Sequence, residues 1–244
     1  MLAHRGFVPI EAEGVTENTA AAFAAAHAAG AIYVESDCHL TADGEVVLFH
    51  DDDLIRIAND PRTVATVTLA ELTEIMQDRG GLVHLPQAFE AFPTLRFNLD
   101  VKAAGAAEPA GRIVARHSER VLLTSFSDRR RLRALAAARE AGGRPATSAG
   151  SATIARTVAA VAARSPRLVT RLLRGVDALQ VPERHRGVRV VTRRFVEAAH
   201  RAGTEVHVWT INDEDTMHRL LDLGVDGLVT DRADVAMAAV SSRH

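Results

Sequence analysis

The stretch from Ile32 to Leu40, IYVESDCHL, sets two carboxylates and a histidine among apolar and small residues. Side chains on a strand alternate with a period of two, so Glu35, Asp37 and His39 share one face of the predicted strand. A strand of a parallel barrel is covered by helices outside and by packed side chains inside, which leaves acidic residues a place only at its end. The stretch therefore predicts a barrel strand that delivers two carboxylates to a site, with an exposed sheet face as the competing interpretation.

Seven more apolar segments of strand length alternate with Ala/Arg-rich helical segments. The eight predicted barrel strands are Leu2–His4, Ile32–Leu40, Arg96–Lys102, Val121–Ser125, Ala146–Ala149, Ala178–Val181, Val206–Ile211 and Gly227–Thr230. Eight strands in 244 residues give about 30 residues per unit, the length of one βα repeat. We therefore predict an α/β fold, a TIM-type (β/α)8 barrel. A doubly wound open sheet is the alternative, but the sequence has neither a glycine-rich dinucleotide fingerprint after its first strand nor a Walker-type loop.

Glycine follows the last turn of each clear helix, which is the usual helix stop. The predicted helices are Thr19–Ala29, Ser127–Ala141, Arg193–Ala202 and Asp213–Leu223. The last of them opens on three acidic residues, which the helix dipole favours in a first turn.

A short insertion is predicted after the second barrel strand. Asp43-Gly44 is a hairpin-turn signal, and an extra strand from Val46 to Phe49 returns His50 toward the two carboxylates of the strand before it. The excursion over residues 51–92 then carries a helix opened by TLAE at residues 68–71, a capping-box pattern. This hairpin and loop are the predicted departures from a regular repeat.

Length and charge bound the class of protein. The 244 residues, 47% of them hydrophobic, can bury one large core or two small ones. Because the excursion is too short to count as a separate domain, we predict one domain over residues 1–240 and a frayed end at residues 241–244. The formal charge is −2, and we take arginine and acidic residues to be interspersed, which disfavours a nucleic-acid partner.

Targeting and redox signals are few. One cysteine, Cys38, excludes an intramolecular disulfide and a Cys-based zinc site and fits a reducing compartment. Because His4, a candidate site residue, is already the fourth residue, we expect no signal peptide upstream of it, and no apolar run approaches the roughly 20 residues that span a bilayer. We expect a cytoplasmic protein without stable membrane insertion, and the oligomeric state stays open.

Lysine occurs once, at Lys102, against 28 arginines. In the strand that ends there, Asn98, Asp100 and Lys102 lie on one face. Such a row suits a dry core poorly, because unpaired buried charges are costly unless a metal or a counter-ion meets them. We predict that this face is one wall of a site.

Three carboxylates are candidate metal ligands. Glu35 and Asp37 lie about 7 Å apart along a strand and can converge on one hard cation. Asp100 adds a third oxygen ligand. Because oxygen ligands suit Mg²⁺ or Ca²⁺ rather than zinc, we predict one divalent cation, Mg²⁺ or Ca²⁺, as the cofactor.

His4 and His50 are the candidates for proton transfer among 11 histidines, because each follows an apolar strand and precedes a charged residue. Arg5 and Lys102 put positive charge beside the predicted metal, which suits an anionic substrate such as a phosphate. The alternative is that both cations only neutralise the carboxylates. Trp209, near the end of a strand, is predicted to form a wall of the substrate pocket, with core packing as the alternative.

Two further features concern the ends of later strands. The run Ala149-Gly150-Ser151 could cradle an anion with backbone N–H groups, but a turn is the favoured interpretation. Ser125 and Gln180 also follow or end strands and are predicted to line the pocket.

Seven short motifs occur in a fixed order along the chain. They are Ala3-His4-Arg5-Gly6, Glu17-Asn18-Thr19, Glu35-Ser36-Asp37, Thr41-Ala42-Asp43-Gly44, His50-Asp51, Asn98-Leu99-Asp100-Val101-Lys102 and Trp209-Thr210-Ile211-Asn212. Each motif alone is weak, but the ordered series covers essentially the whole chain and resembles the glycerophosphodiester phosphodiesterase family. The resemblance implies a TIM-type barrel that uses a divalent metal to hydrolyse glycerophosphodiesters to sn-glycerol 3-phosphate and an alcohol.

The matching positions imply three kinds of role. These are metal ligation by Glu35, Asp37 and Asp100, acid–base catalysis by His4 and His50, and phosphate binding by Arg5 and Lys102. Two positions depart from the family's pattern. Asp100 stands where Glu is more frequent, which points to ligation through water or to a shifted metal. Thr16 stands where Pro usually precedes Glu-Asn-Thr, and we expect this change to affect only the loop.

Two other functions stay open as alternatives. A lysophospholipase-D-like phosphodiesterase that acts on single-chain lipids would favour an apolar loop near the site, for which residues 82–85, LVHL, are the candidate. A non-catalytic anion-binding barrel would be indicated by loss of His4, His50 or a carboxylate, and none is lost.

The short excursion over residues 51–92 favours an open pocket for a small substrate. The head group, the order of attack by water or by the glycerol hydroxyl, and the division of acid and base roles stay open.

Overall fold

Eight parallel strands form a nearly closed barrel at the centre of the structure, a computed structural model that describes residues 1–241. The strands of this part of the chain are β1 Leu2–His4, β2 Tyr33–Leu40, β3 Val46–Leu48, β4 Asp53–Leu54, β5 Asp60–Thr63, β6 Arg96–Val101, β7 Val121–Thr124, β8 Ala146–Thr147, β9 Ala178–Pro182, β10 Arg184–His185, β11 Val188–Arg189, β12 Glu205–Trp209 and β13 Gly227–Thr230. The barrel order is β8-β7-β6-β2-β1-β13-β12-β9, and a parallel bridge from Ser148 to Ala178 joins its two ends. The predicted (β/α)8 barrel is confirmed.

Helices surround the barrel. Within the described residues they are α1 Ala20–Ala28, α2 Ile55–Ala58, α3 Leu69–Met76, α4 Leu85–Ala91, α5 Ala107–Val114, α6 Asp128–Glu140, α7 Ser151–Ala162, α8 Pro166–Leu172, α9 Arg193–Arg201, α10 Glu214–Asp222 and α11 Ala233–Ser241, with 3-10 turns at Val64–Thr66, Gln77–Arg79 and Ala115–Arg120. The four predicted helices are confirmed to within one residue at each end. The extra first residues are caps, since Thr19, Ser127 and Asp213 each accept a backbone hydrogen bond from the first turn.

The insertion after β2 begins as a hairpin. β3 pairs antiparallel with β2, and Phe49 just beyond it donates a 2.9 Å backbone hydrogen bond to Asp37. The next residue, His50, is thereby carried to the carboxyl-end half of β2. Farther along, the predicted capping box at the start of α3 is confirmed, because Thr68 and Glu71 exchange side-chain to backbone hydrogen bonds.

The core lies mainly between the barrel and its helices. Phe97 points outward from β6 and packs edge-to-face against Phe23 of α1 and Phe89 of α4, with ring centroids 6.1 and 5.4 Å apart. Each fully buried Phe contributes about 1.5–3 kcal/mol of hydrophobic stabilisation. Residues on alternate positions of the same strand, Asn98 and Asp100, face inward and are also buried. Strand alternation thus separates an apolar shell from a polar barrel interior.

The chain end and the helix lengths complete the fold. Of the predicted frayed tail, Ser241 ends α11, and residues 242–244 lie outside the described residues. The single domain over residues 1–240 stays a prediction. Between residues 1 and 241, every helix is too short or too polar to cross a membrane.

Candidate active site

A cavity of about 240 Å³ opens at the carboxyl ends of the barrel strands. Parallel barrels bring all of their strand ends to this face, so residues far apart in sequence meet there. The cavity collects every residue predicted for the site, namely His4, Arg5, Glu35, Asp37, His50, Asp100, Lys102 and Trp209. Ser125 and Gln180 line it as well.

Two kinds of side chain divide the cavity. The charged wall comes from β1, β2, β6 and the residues after β3 and β6, and consists of His4, Arg5, Glu35, Asp37, His50, Asp100 and Lys102. The neutral wall comes from β7, α7, β9 and β12 and consists of Thr124, Ser125, Phe126, Ser151, Ile154, Gln180 and Trp209. The charged wall is therefore built from the first 102 residues of the chain.

His4 forms a dyad with a carboxylate near the other end of the chain. Its Nδ1 lies 2.6 Å from Asp231 Oδ1, and its Nε2 lies 3.9 Å from Glu35 Oε2. Asn212 Nδ2 donates a 2.7 Å hydrogen bond to Asp231 Oδ2. The hydrogen bond from His4 holds the pKa of Asp231 below its usual value. Because an ionised carboxylate keeps a proton on Nδ1, the Nε2 of the neutral ring is the free base.

His50 forms a second dyad of the same kind. Its Nδ1 lies 2.6 Å from Asp51 Oδ1, and Arg56 Nε donates a 2.6 Å hydrogen bond to Asp51 Oδ2. Burial opposes ionisation of Asp51, but hydrogen bonds from Arg56 and His50 hold its pKa below the usual value. Buried His39 donates from Nε2 to the His50 carbonyl at 3.2 Å and fixes the backbone of the dyad.

Two cations neutralise part of the charge of three buried carboxylates. Lys102 Nζ lies 3.2 Å from Asp37 Oδ1 and 3.4 Å from Asp100 Oδ2. The backbone N–H of Arg5 donates to Glu35 Oε2 at 3.2 Å, and its side-chain Nε lies 3.7 Å from Asp37 Oδ2. The neutralisation that we named as the alternative role is thus present, and both cations also line the cavity.

The pKa values of this cluster report an excess of negative charge. Burial raises the pKa of Glu35 well above its usual value, and the charges of Asp37 and Asp100 raise it further. Burial also raises the pKa of Asp100, against the opposing charge of Lys102. Burial would lower the pKa of Lys102, but the charges of Asp37 and Asp100 hold it above the usual value. Additional positive charge at this wall is therefore favoured.

Local backbone geometry explains the first two motifs. Arg5 and Asn18 adopt left-handed φ angles of 54° and 59°, and the N–H of Asn18 donates to the Arg5 carbonyl at 2.8 Å. In this position, the side-chain Nδ2 of Asn18 donates a 3.1 Å hydrogen bond to Asp37 Oδ2. Gly6 has φ of 87°, and a Cβ there would lie 2.9 Å from the backbone of Ala22. Only glycine fits at that position.

The neutral wall is aromatic at its edge. Trp209 packs edge-to-face against Phe126, with ring centroids 5.8 Å apart. Lys102 Nζ lies 5.5 Å from the centroid of Phe126, at the point where the two walls meet. Trp209 therefore lies in the cavity wall, where the strand-end argument placed it.

Two secondary expectations are decided by burial and hydrogen bonds. The run Ala149-Gly150-Ser151 is neither a turn nor a free anion cradle but the entry into α7, where Asp128 accepts backbone hydrogen bonds from Gly150 and Thr153 at 3.0 Å. The apolar segment at residues 82–85 is not an exposed loop. Leu82, Val83 and Leu85 are buried in the packing of the insertion and α4. The interpretation of this segment as an apolar loop that would favour a lipid substrate is therefore wrong.

The partners of the two histidines were not predicted. Asp51 is part of the His50-Asp51 motif but was given no role, Asp231 belongs to none of the seven motifs, and no role was predicted for Asn18, Glu17 or His39. A signal was available for Asp51, which directly follows His50. No spacing rule pointed from His4 to Asp231, because 227 positions separate them and the barrel alone brings them together.

The donor chemistry of the charged wall fits a hard divalent cation. Glu35, Asp37 and Asp100 offer carboxylate oxygens, and Asp100 Oδ1 is buried without a hydrogen-bond partner in residues 1–241. Lys102, however, stands between Asp37 and Asp100, and within the same residues no group of three or more His, Cys, Asp or Glu side chains is arranged to hold a metal ion. Metal ligation by these three residues stays a prediction.

Comparison with known proteins gives a family. A model described as the glycerophosphoryl diester phosphodiesterase family matches residues 4–235. The probable glycerophosphodiester phosphodiesterase 2 of Mycobacterium tuberculosis is 36% identical over 245 residues, which cover 99% of this chain and 90% of that protein.

Solved structures show the same fold. A glycerophosphodiester phosphodiesterase from Thermotoga maritima has a TM-score of 0.72 at 25% identity, with 98% of this chain and 96% of that chain covered. An Oleispira antarctica phosphodiesterase, solved in complex with the product sn-glycerol-3-phosphate, has a TM-score of 0.73 at 23% identity, with 98% and 96% covered.

Proposed function

The chain belongs to the glycerophosphoryl diester phosphodiesterase family, and we propose that it hydrolyses glycerophosphodiesters to sn-glycerol 3-phosphate and an alcohol through acid–base catalysis by His4 and His50. It is thus a phosphoric diester hydrolase. One observation carries the two-histidine mechanism: each ring faces a single cavity and has its Nδ1 2.6 Å from a carboxylate, Asp231 for His4 and Asp51 for His50.

The two rings divide the proton transfers between them. One imidazole takes the proton of the attacking hydroxyl at Nε2, while the other, as imidazolium, donates its Nε2 proton to the leaving alkoxide. The carboxylate on each Nδ1 stabilises the imidazolium that forms and fixes which nitrogen faces the cavity. If the neighbouring glycerol hydroxyl attacks first, a cyclic phosphate forms, and the rings exchange roles when water opens it.

Arg5 and Lys102 bind the phosphate in this proposal. Negative charge builds on the phosphoryl oxygens as the nucleophile attacks, and fixed cations in a half-buried site stabilise that charge. Lys102 is 24% exposed and Arg5 19% exposed at the side chain, so both present charge to the cavity while anchored by carboxylates. Their pairing with Glu17 and Asp37 holds them in position before substrate arrives.

Glu35, Asp37 and Asp100 would hold the divalent cation, Mg²⁺ or Ca²⁺, which when bound supplies further positive charge to the phosphoryl oxygens. The support for this part of the proposal is the surplus of buried carboxylate and the unpartnered Asp100 Oδ1. Lys102 and Arg5 are the cations that contact these carboxylates within residues 1–241, and Arg5 is also paired with Glu17 at 2.8 Å.

The neutral wall receives the remainder of the substrate. Trp209 and Phe126 offer apolar ring surface, and Gln180 and Ser125 offer hydrogen-bonding groups without net charge. This combination suits glycerol carbons and hydroxyls better than a second anion.

The test is release of sn-glycerol 3-phosphate from glycerophosphocholine and glycerophosphoethanolamine by metal-stripped protein, with and without added Mg²⁺ or Ca²⁺. His50→Ala is compared with His27→Ala, a matched change at an exposed histidine of α1. We expect metal-dependent release that His50→Ala abolishes and His27→Ala leaves unchanged.

Lysophosphatidylcholine serves as a third substrate in the same assay. Release of choline from it, without turnover of the two glycerophosphodiesters, would replace the proposed substrate class with single-chain lipids. No turnover of any of the three with either metal would contradict the proposed reaction and favour anion binding without catalysis.

A further inference from the structure

Charge is strongly segregated along this chain. Residues 141–196 contain eleven arginines and two acidic residues, whereas the rest of the chain contains 18 Lys and Arg residues and 29 Asp and Glu residues. We call residues 141–196 the basic segment. It carries a formal charge of +9, and the remainder of the chain carries −11. The expectation that arginine and acidic residues are interspersed is therefore wrong for this segment.

The arginines of the basic segment lack an acidic partner in the part of the chain that the structure describes. All eleven are exposed, and none forms an ion pair with another of residues 1–241. Some exposed arginines elsewhere are paired, although Arg116, Arg129 and Arg139 form no ion pair within residues 1–241. Arg56, Arg62 and Arg133 each lie 2.6–2.7 Å from an acidic side chain. The basic segment is therefore a surface of free positive charge.

Part of this charge converges on a groove between α7, α8 and α9, with a volume of about 430 Å³. Its lining combines buried apolar side chains, Val161, Val169 and Ala198, with two exposed arginines of the basic segment, Arg164 and Arg194, and with Arg201 just beyond it. Glu197, which lies 3.8 Å from Arg201, is the acidic residue of the lining. An anion with an apolar portion matches this combination.

The short helix α8 carries the same combination on its exposed side. Arg167 and Arg171 are four residues apart, so their like charges face each other and oppose helix formation. Leu168 between them is 40% exposed. An opposite charge outside the protein would relieve the repulsion, and an apolar layer would cover the leucine.

We propose that the surface formed by α7, α8 and the start of α9 docks on the anionic face of a phospholipid bilayer. Clusters of roughly four to eight basic residues bind such membranes, and interleaved apolar side chains strengthen the contact by entering the interface. The surface adjoins the cavity, since Ser151 and Ile154 at the start of α7 line it. α7 therefore runs from the cavity to the arginines of the proposed contact.

The structure favours a bilayer over two other anionic partners. Sequence-independent binding of single-stranded nucleic acid relies on exposed aromatic rings, and the basic segment has one aromatic residue, Phe195, which is buried. A second copy of this chain would have to offer free acidic groups. Asp60, Glu108 and Asp234 are already paired with arginines of their own chain, whereas exposed residues such as Glu74 and Glu140 form no ion pair within residues 1–241, so sedimentation of the protein without vesicles tests this partner.

The experiment is co-sedimentation of the full chain with vesicles of phosphatidylcholine alone and of equimolar phosphatidylcholine and phosphatidylglycerol, at low and high salt. We expect binding to the anionic vesicles only, and loss of that binding at high salt because screening weakens charge contacts. The assay measures no turnover, so its result is independent of the proposed reaction.

Replacement of arginines by glutamate at two different places on the protein tests which surface contacts the membrane. The triple variant R164E/R167E/R171E is expected to weaken binding at least tenfold, whereas R112E/R116E/R139E, with the same change of net charge at exposed arginines of other helices, retains it. Hydrolysis of glycerophosphocholine in solution should be equal in both variants. If the first triple variant melts early, R164Q/R167Q/R171Q removes the same charges without adding acidic ones and should also weaken binding.

Several outcomes would overturn the proposal. These are equal binding to both vesicle types, no binding to either, equal loss in the two charge-reversed variants, and sedimentation of the protein without vesicles. Displacement from anionic vesicles by duplex DNA at a matched phosphate concentration would assign the surface to nucleic acid instead.

Discussion

The two walls of the cavity differ in the kind of side chain that lines them, although both are built on the same barrel. In the charged wall, every ionisable side chain has a partner of opposite charge or a hydrogen bond, as in the ion pairs of Lys102 with Asp37 and Asp100. In the neutral wall, rings and uncharged polar groups line the space, and Trp209 with Phe126 marks its edge. In the proposed reaction, the charged wall would carry the chemistry and the neutral wall would contact the rest of the substrate.

Carboxylates themselves have different tasks in the two regions. Beside the charged wall, Asp231 and Asp51 orient imidazoles that face the cavity. Beside the neutral wall, Asp128 accepts hydrogen bonds from the backbone N–H groups of Gly150 and Thr153 and thereby caps the start of α7. Mutations can therefore separate loss of chemistry from loss of binding and from loss of stability.

The largest effect is expected from removal of a base in the charged wall. His4→Ala should lower kcat by about 10²–10⁴-fold, because general acid–base groups contribute by this factor. The measurement is steady-state hydrolysis of glycerophosphocholine, with His27→Ala as the matched control. Less than a fewfold loss of kcat would remove His4 from the chemical step.

The next effect tests orientation of the base. Asp231→Asn should lower kcat by about 10²-fold or more, because an amide can hold the imidazole in the wrong tautomer. KM should change little, since Asp231 lies behind the ring. Asn212→Ala, which removes one hydrogen bond to the same carboxylate, should give a smaller loss in the same direction. A change confined to KM, or equal kcat in Asp231→Asn and wild type, would contradict this positioning role.

A change in the neutral wall should move binding rather than chemistry. Trp209→Ala should raise KM by about tenfold, the effect of losing about 1.4 kcal/mol of contact with the substrate, and leave kcat within a fewfold of wild type. Phe126→Ala, which removes the ring packed against Trp209, serves as the companion variant and should show a weaker effect of the same kind. A loss of kcat comparable to that of His4→Ala would contradict the assignment of substrate binding, rather than chemistry, to the neutral wall.

The smallest effect concerns stability. Asp128→Asn should lower the free energy of unfolding by about 1 kcal/mol at neutral pH, as for loss of a helix cap. Burial works against the charge of Asp128, but backbone hydrogen bonds from Thr153 and Gly150 hold its pKa below the usual value. The stabilisation is therefore present above the unfolded-state pKa and disappears as pH falls through the lower folded-state pKa.

Denaturant unfolding of wild type and Asp128→Asn across the acidic range measures that difference. The two curves should converge at low pH, and the melting temperature at neutral pH should fall by about 2–4 °C. Glu140→Gln, at the exposed end of α6, is the control and should show no loss. A gap that stays constant down to the lowest pH would mean that the carboxylate charge is not what stabilises α7.

Much of the barrel followed from local signals in the sequence. Strand alternation placed Glu35 and Asp37 inside, and glycine stops with polar caps located helices such as α6 to within one residue at each end. These features depend on interactions between residues close in sequence, which a one-dimensional pattern records. The end of β12 was less predictable, because pairing with β9 and β13 decides where a strand stops.

The sequence by itself determined which residue types reach the cavity and the family to which the chain belongs. Periodicity and motif order are properties of the chain, so His4, His50 and the three carboxylates could be named without a structure. Only the tertiary structure decided which groups touch. Closure of the barrel brings Asp231 to His4, sets Lys102 between two carboxylates, and gathers Arg164, Arg194 and Arg201 around one groove. Hydrogen bonds and ion pairs require atoms within a few ångströms of each other, and spacing along a sequence does not encode that distance for residues on different strands.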